Sequence, residues 1–282
     1  MSGNGKRVLL MGVTGGVGEV VGDMLVAEGY EVYVTCRASK KAGIQAKGKF
    51  KHVLAMDLAS TPSVEAAFAE LASLGVTSLD GLLNCAAVNP GAPMETVSLE
   101  EIHRVFQINI FGTLRAVQLA IPLLRPTKGR IVLVGSLSGT YVMPLMGIYS
   151  ASKYALEASV DALRRELYPW GIKTSVVKPG AIKTAMFFDH IKDVTDKANN
   201  AQGADKMYAP LYRAHAEAIP KTQGISVSTE GVAKQVMHGL MSPNPKIRYY
   251  SGWHSQMTGI MCRFAPDWFL DWTAKKIFAL KQ

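Results

Sequence analysis

The amino-acid sequence predicts an α/β protein: a doubly wound parallel sheet of about seven strands with helices on both faces. Three observations support this prediction. Short apolar segments rich in β-branched residues alternate with helical patterns along the chain. A glycine-rich segment, Gly12–Gly18, joins the first strand to the first helix. Finally, 282 residues that are 48% hydrophobic can form one large domain with a sizeable core, which we place over residues 1–282.

The predicted strands are short apolar runs bounded by glycine, proline or polar residues. In chain order they are Arg7–Met11, Glu31–Cys36, His52–Asp57, Gly81–Ala87, Arg130–Ser136, Lys173–Lys178 and Lys246–Ser251. The predicted helices lie between them, at Val17–Ala27, Ser63–Leu74, Ser98–Leu124, Tyr149–Leu167 and Thr229–Leu240. Because strands and helices alternate, we expect right-handed crossovers and therefore parallel strands.

Two segments break this alternation. Residues 186–227 form a long segment of mixed character that includes Asn199-Asn200, Gly203, Pro210 and Pro220. We interpret them as an irregular substrate-binding loop or lid; the alternative is a variable surface excursion. Residues 253–282 form a C-terminal extension, in which Phe264–Gln282 has the pattern of an aromatic-rich amphipathic helix. Most such helices pack on their own domain or on a partner subunit, and a minority lie on membrane surfaces.

Composition narrows the functional classes. The net charge is +9, but the basic residues are scattered and no nucleic-acid motif accompanies them, so we expect no nucleic-acid partner. The positive charge is better explained by attraction for a phosphorylated cofactor or for an anionic membrane surface. The alternative is that the basic residues form a solvated face. Three cysteines show neither a disulfide framework nor metal-ligand spacing, so we expect no metal site. No run approaches the ~20 apolar residues of a membrane span and no signal peptide is evident, which favours a cytoplasmic protein.

A tyrosine and a lysine four residues apart carry the chemistry in this prediction. Tyr149 and Lys153 would share one face of a helix, one turn apart. A nearby ammonium favours tyrosinate and is expected to lower the phenol pKa from its usual value of about 10. A phenol tuned in this way can exchange a proton with a carbonyl oxygen. Taken alone, the pair is better explained as two surface residues.

The surrounding motifs favour the catalytic interpretation. The chain contains six such motifs, in this order: Gly12-x3-Gly16-x-Gly18, Asn84-Cys85-Ala86-Ala87, Asn109, Ser136, Tyr149-x3-Lys153 and Pro179-Gly180-x3-Thr184. Together they resemble the short-chain dehydrogenase/reductase family, and the resemblance covers most of the chain. It implies a single-domain Rossmann fold that binds a nicotinamide cofactor. The general look is closest to the steroid, retinoid and carbonyl reductase-like members.

The resemblance also implies a cofactor site. An acidic residue at the end of the second strand would bind the adenosine ribose, but Arg37 stands there, which favours NADP(H) because a guanidinium pairs with the 2′-phosphate. The alternative for Arg37 is a solvated loop residue. The full set of cofactor-binding residues is predicted to be Gly12, Thr14, Gly15, Gly16, Val17, Gly18, Arg37, Asp57, Leu58, Asn84, Ala86, Tyr149, Lys153, Pro179, Gly180, Ile182 and Thr184.

In the implied mechanism Tyr149 is the general acid in carbonyl reduction, and Ser136 hydrogen-bonds the same oxygen. Lys153 lowers the Tyr149 pKa and binds the nicotinamide ribose, while Asn109 holds a water that relays protons to Lys153. Outside the resemblance, Asn109 is better explained as a helix-interior residue that makes a back-bond or a kink. Ser138 is the alternative catalytic hydroxyl, although the thirteen-residue spacing to Tyr149 favours Ser136.

Substrate and partners follow less directly. Ser136 and Tyr149 together with Val142, Met143 and Phe187 are the predicted substrate-binding residues. Large apolar side chains suit an apolar carbonyl or alcohol, steroid- or retinoid-like. The helices at Ser98–Leu124 and Tyr149–Leu167 match the pair through which family members form homodimers or homotetramers. Two functional alternatives stay open: an NAD-dependent alcohol dehydrogenase, and a catalytically silent NADP-binding sensor or scaffold.

Overall fold

The computed structural model describes residue 3 and residues 5–221 and 226–278. Its strands are β1 Arg7–Met11, β2 Glu31–Cys36, β3 His52–Ala55, β4 Gly81–Asn84, β5 Arg130–Val134, β6 Lys173–Pro179 and β7 Arg248–Ser251. Its helices are α1 Gly16–Ala27, α2 Ala38–Gln45, α3 Thr61–Ser73, α4 Leu99–Phe106, α5 Thr113–Leu124, α6 Gly147–Glu166, α7 Ala185–Asn200, α8 Ala209–Lys221, α9 Thr229–Met241, α10 Trp253–Phe264 and α11 Asp267–Ile277. A π-helical stretch, Gln107–Gly112, joins α4 to α5.

The seven strands form one parallel sheet, as predicted. The strand order is β3-β2-β1-β4-β5-β6-β7. Side chains alternate along β1, so Leu9 belongs to the core under α3, α5 and α6, whereas Val8 and Leu10 belong to the core under α1 and α9. Both faces are therefore covered, which confirms the doubly wound fold. The strand order reverses between β1 and β4, and the crevice beyond the carboxyl ends of these strands is the expected place for a ligand.

Three strands end earlier than predicted. The prediction carried β3 to Asp57, β4 to Ala87 and β5 to Ser136, whereas each stops two or three residues sooner. At these ends local side chains replace the ladder as hydrogen-bond partners: Asn84 Oδ1 accepts from Ala86 N (2.9 Å). The β-rich residue pattern continues past the point where the backbone turns away from the sheet.

The region 186–227 was predicted to be irregular, and this was wrong. It contains α7 and α8, joined by a 3-10 segment at Gly203–Tyr208; residues 222–225 lie outside the described part. The C-terminal extension contains two helices, because Pro266 separates α10 from α11. Residues 279–282, the end of the predicted tail helix, also lie outside the described residues.

One helical stretch meets the length and composition of a membrane span, although the sequence was read as having none. It runs from Leu99 to Leu124, 26 residues. Its buried residues, among them Val117 and Ala120, belong to the main core, and Asn109 is buried in its middle. These contacts are those of a core helix packed on the sheet.

Candidate active site

The turn after β1 is a tight structure that only glycine permits at two positions. Gly12 has a φ of +83°, and a Cβ there would lie 2.6 Å from the Ala86 backbone nitrogen. A Cβ on Gly18 would lie 2.1 Å from the Gly12 carbonyl oxygen, so α1 packs directly on the turn. Gly12 therefore forms the turn, Gly18 lets α1 pack on it, and Ala86 is brought against the turn.

The start of α1 offers an unoccupied set of backbone donors. Gly15 is the N-cap residue and no side chain caps the helix. Thr14 and Gly15 are exposed, Val17 is buried, and a Cβ on Gly16 would approach the Thr184 methyl at 3.2 Å. Free amide groups and the positive end of the helix dipole favour a phosphate. These residues fit the pyrophosphate of a dinucleotide.

The end of β2 presents a free guanidinium. Arg37 is exposed, and no carboxylate in the described part of the chain pairs with it. Nearby Lys41 differs, because its Nζ lies 3.1 Å from Glu70 Oε1. After β3, Asp57 is exposed and Leu58 is buried, with the Asp57 Oδ1 accepting from Ala59 N (2.9 Å). Arg37 is thus placed where an anionic group could approach it without displacing another partner.

Asn84 serves as an internal brace. Its Nδ2 donates to Thr113 Oγ1 (2.9 Å), and its Oδ1 accepts from Ala86 N. The side chain is buried and both of its polar atoms are engaged. Any contact of this segment with a cofactor would therefore come from its backbone.

Ser136, Tyr149 and Lys153 come together at the end of β5 and the start of α6. Ser136 follows β5 and lies close enough to the Tyr149 hydroxyl to act on its pKa. Lys153 is one turn along α6, with Nζ 5.6 Å from the centroid of the Tyr149 ring. All three side chains are buried. The alternative hydroxyl, Ser138, is buried on the 3-10 turn after Ser136, and its backbone N donates to Ser136 Oγ (3.1 Å).

The pKa of Tyr149 shifts in the direction opposite to the prediction. Burial raises it to about 12, although Ser136 acts in the opposite direction and lowers it. Burial also lowers the pKa of Lys153 to about 8. The Lys153 Nζ donates to the Val134 carbonyl oxygen (3.1 Å), so the ammonium is not held on the phenol oxygen. At neutral pH this site therefore holds a protonated phenol that can donate.

Asn109 lies in the π-helical stretch that joins α4 to α5. Its Oδ1 accepts from Val88 N (2.9 Å), and its Nδ2 donates to Val88 O and Ser152 Oγ (both 3.0 Å). Ser152 Oγ in turn donates to the Tyr149 carbonyl oxygen (2.7 Å). Asn109 therefore ties the loop after β4 to the helix that carries Tyr149.

Sequence reasoning missed a buried ionic cluster next to Lys153. Glu157 is one further turn along α6, and its carboxylate oxygens lie 3.0 Å from Lys178 Nζ and 2.9 Å from Arg248 Nε. Burial lowers the pKa of Lys153, and the Glu157 carboxylate opposes this effect by raising that pKa. The i, i+4, i+8 spacing of Tyr149, Lys153 and Glu157 is the signal that could have revealed it.

The remaining predicted residues lie at the end of β6 and in the segment after it, in the first turn of α7, and in the segment before α6. Pro179 ends β6, and Ile182 forms a parallel bridge with Val227. A Cβ on Gly180 would lie 2.9 Å from Ser255 Oγ, so α10 packs closely here. The predicted substrate residues lie at the surface: Val142 is exposed, and Met143 and Phe187 are half-buried.

A cavity of about 730 Å³ lies between the loop after β4, the start of α4 and the helix α7. The predicted substrate residues do not line it, although Met186 does. Its lining is mixed in polarity and includes Glu101, Arg104, Asp189, His190, Asp193 and Lys197. His190 continues into a buried pair across α7 and α8, with its Nε2 3.1 Å from His215 Nε2.

Comparison with known proteins places this site in a family. A model described as short chain dehydrogenase matches residues 6–194. The NADPH-dependent 3-dehydrocapnine reductase of Ornithobacterium rhinotracheale is 28% identical over 276 residues, covering 94% of this chain and 95% of that protein. Retinol dehydrogenase 16 of Homo sapiens is 28% identical over 280 residues, covering 94% and 86%. A solved short-chain dehydrogenase of Burkholderia cenocepacia J2315, in complex with NADP, is 29% identical with a TM-score of 0.69, covering 89% of this chain and 99% of that one. The family model spans well over half of the chain, and the protein therefore belongs to the short-chain dehydrogenase family of oxidoreductases.

Proposed function

We propose that this protein uses NADPH to reduce a ketone or aldehyde on a bulky apolar substrate, steroid- or retinoid-like, to the alcohol. The observation that carries the proposal is the grouping of three buried residues: Tyr149, Ser136 beside its hydroxyl, and Lys153 one helical turn away. A binding module has no use for this combination of acid, oxygen-binding hydroxyl and buried cation. The domain spans residues 1–282, with 186–227 as the lid over the site.

The cofactor supplies a hydride to the carbonyl carbon. Ser136 orients the carbonyl oxygen, and the protonated Tyr149 gives its hydroxyl proton to that oxygen as negative charge develops. The product alcohol leaves a tyrosinate, which Lys153 can reprotonate because its pKa of about 8 is close to neutrality. Asn109 keeps the Val88 loop and the Tyr149 backbone in register.

NADP(H) is favoured over NAD(H) by the unpaired Arg37 at the end of β2. Two similar proteins carry the same preference in their descriptions: the 3-dehydrocapnine reductase is NADPH-dependent, and the Burkholderia structure contains NADP. The glycine turn and the uncapped start of α1 would hold the pyrophosphate.

The apolar substrate is supported by exposed apolar side chains near the predicted loop and lid. Val142, Met186 and Phe188 are exposed by 48%, 38% and 52%. The similarity to a retinol dehydrogenase points the same way.

Assembly and location form part of the same proposal. We expect a cytoplasmic homodimer or homotetramer that uses the faces of α4–α5 and α6. On α6, Ala151, Ala158 and Ala162 are exposed, and small residues permit close helix approach. The C-terminal helices make the protein peripheral to a membrane.

The test is NADPH consumption with a panel of apolar ketones and aldehydes, matched against small polar carbonyls of the same reactivity. We expect turnover with the bulky apolar members and slower turnover with the polar ones. NADPH binding without turnover of any carbonyl would support the sensor or scaffold. Faster alcohol oxidation with NAD⁺ than with NADP⁺ would support the NAD-dependent dehydrogenase.

A further inference from the structure

Helix α10 carries a row of large apolar side chains that face solvent. Trp253, Met257, Ile260 and Phe264 are exposed by 67%, 58%, 58% and 78%. Their spacing of four, three and four residues places them on one face of the helix. In a soluble protein such a row of apolar side chains normally packs against the core. Its exposure here indicates that this face of α10 binds a partner.

Helix α11 extends the same kind of face. Trp268 and Trp272, four residues apart, are exposed by 70% and 48%. Lys275 follows on the same face, and the Lys276 ammonium lies 4.5 Å from the centroid of the Trp272 ring. We call the four residues of α10 together with Trp268 and Trp272 the C-terminal apolar surface.

The two helices are already fixed to the domain through other residues. Phe278 is buried and stacks on His215, with ring centroids 5.2 Å apart. Thr273 Oγ1 is hydrogen-bonded to Tyr141 OH (3.1 Å), which ties α11 to the segment that carries the predicted substrate residues Val142 and Met143. Gly259 lies against the Tyr250 ring, where a Cβ would lie 2.3 Å away. The exposed row is therefore not an inward face that has failed to pack.

The composition of this surface fits one kind of partner. Tryptophan and phenylalanine prefer the boundary between lipid headgroups and acyl chains, and lysines beside them can extend to anionic headgroups. The side chains of the C-terminal apolar surface are exposed to solvent, and Phe264 has the largest exposed fraction, 78%. The chain as a whole has a net charge of +9, which adds attraction to a negative membrane.

We propose that the C-terminal apolar surface docks on an anionic lipid bilayer. This names the surface and the lipid charge for the membrane contact put forward above, and it does not depend on the identity of the substrate. Because Thr273 contacts Tyr141, docking would bring the segment with Val142 and Met143 close to the lipid. An apolar substrate could then pass from the bilayer to the site without crossing bulk water.

The test is flotation of the purified full chain with vesicles of phosphatidylcholine, with or without about one third phosphatidylserine. Wild type should float with the anionic vesicles and far less with the neutral ones. Trp253→Glu, Phe264→Glu and Trp268→Glu combined should abolish flotation. The matched control is Tyr168→Glu, which changes an aromatic residue exposed by 83% in the turn before β6 and should float like wild type.

A second variant tests the charge. Replacing Lys275 and Lys276 by glutamine should lower partitioning onto anionic vesicles about thirtyfold, roughly fivefold per lysine. Partitioning onto neutral vesicles should be unchanged.

Three results would overturn the proposal: no flotation of wild type, equal loss in Tyr168→Glu, or dimers in sedimentation velocity that the triple variant alone disrupts. The last result would make the surface an interface between copies. Turnover of a soluble carbonyl, measured without vesicles, should be the same in wild type and the triple variant. If neither wild type nor the triple variant turned over the carbonyl, the proposed function would be wrong. The membrane proposal would still be tested by flotation.

Discussion

Arg37 offers the sharpest test of cofactor choice. Its side chain is exposed, makes no ion pair within the described part of the chain, and provides no side-chain cap for α2 although the residue occupies the N-cap position. Arg37→Ala should therefore leave the fold intact and remove only the contact with the 2′-phosphate. A charge-assisted hydrogen bond contributes about 1.5–3 kcal/mol, so the NADPH dissociation constant should rise roughly ten- to a hundredfold. NADH lacks that phosphate, and its affinity should stay nearly constant.

The assay is paired titration of NADPH and NADH at fixed ionic strength, since exposed charges are screened. Arg37→Lys keeps the charge but loses the fork-shaped donor set, and should give an intermediate loss. Lys47→Gln removes an equal charge that is paired with Glu19 and should change neither constant. Arg37→Asp should reverse the preference; the acid belongs at position 37 because the Cys36 side chain is buried. Equal losses for both cofactors in Arg37→Ala would refute the argument, as would a wild-type preference for NADH.

Three further predictions concern the pH dependence, the ionic cluster and the glycine turn. Burial lowers the pKa of His215 to about 3, so between that value and its ordinary 6.5 the unfolded chain binds a proton that the folded chain does not. The free energy of unfolding should therefore fall as the pH drops below about 6.5, and urea midpoints at several pH values should show a smaller fall in His215→Gln. Glu157→Gln removes a group that raises the pKa of Lys153, so the alkaline limb of the kcat profile should move to lower pH; an unmoved limb would show that the two groups are uncoupled. Gly18→Ala places a Cβ 2.1 Å from a backbone oxygen and should weaken NADPH binding at least tenfold by titration, whereas Gly43→Ala, with nothing within 4 Å, should bind like wild type.

Local pattern was sufficient for most of the fold. Strands β1 and β2 begin and end where the residue pattern placed them, and the parallel sheet follows from the alternation of strands with helices. The glycine turn could be predicted in detail because no residue with a Cβ fits at positions 12 and 18. Helices α7 and α8 could not be predicted, because α8 contains two prolines and Gly203 lies between the helices. The two helices are held together by contacts between distant residues, such as the pair His190–His215.

The chemistry of the site was predictable in identity and only partly in environment. The four-residue spacing placed Tyr149 and Lys153 on one helix face, as found. The pKa of Tyr149 depends instead on how deeply the residue is buried, which is a property of the whole fold. The partners of Asn109, especially Val88, likewise come from a distant loop and leave no local signal.

The central claim is that Tyr149 donates the proton to the carbonyl. It is tested most directly by measuring kcat for NADPH-dependent ketone reduction in wild type and Tyr149→Phe, with NADPH affinity measured in both. We predict that the variant binds NADPH with near wild-type affinity, since only a hydroxyl is lost, and that kcat falls at least a hundredfold, within the ~10²–10⁴ range of general acid catalysis. A variant that keeps a tenth or more of the wild-type kcat would contradict the account.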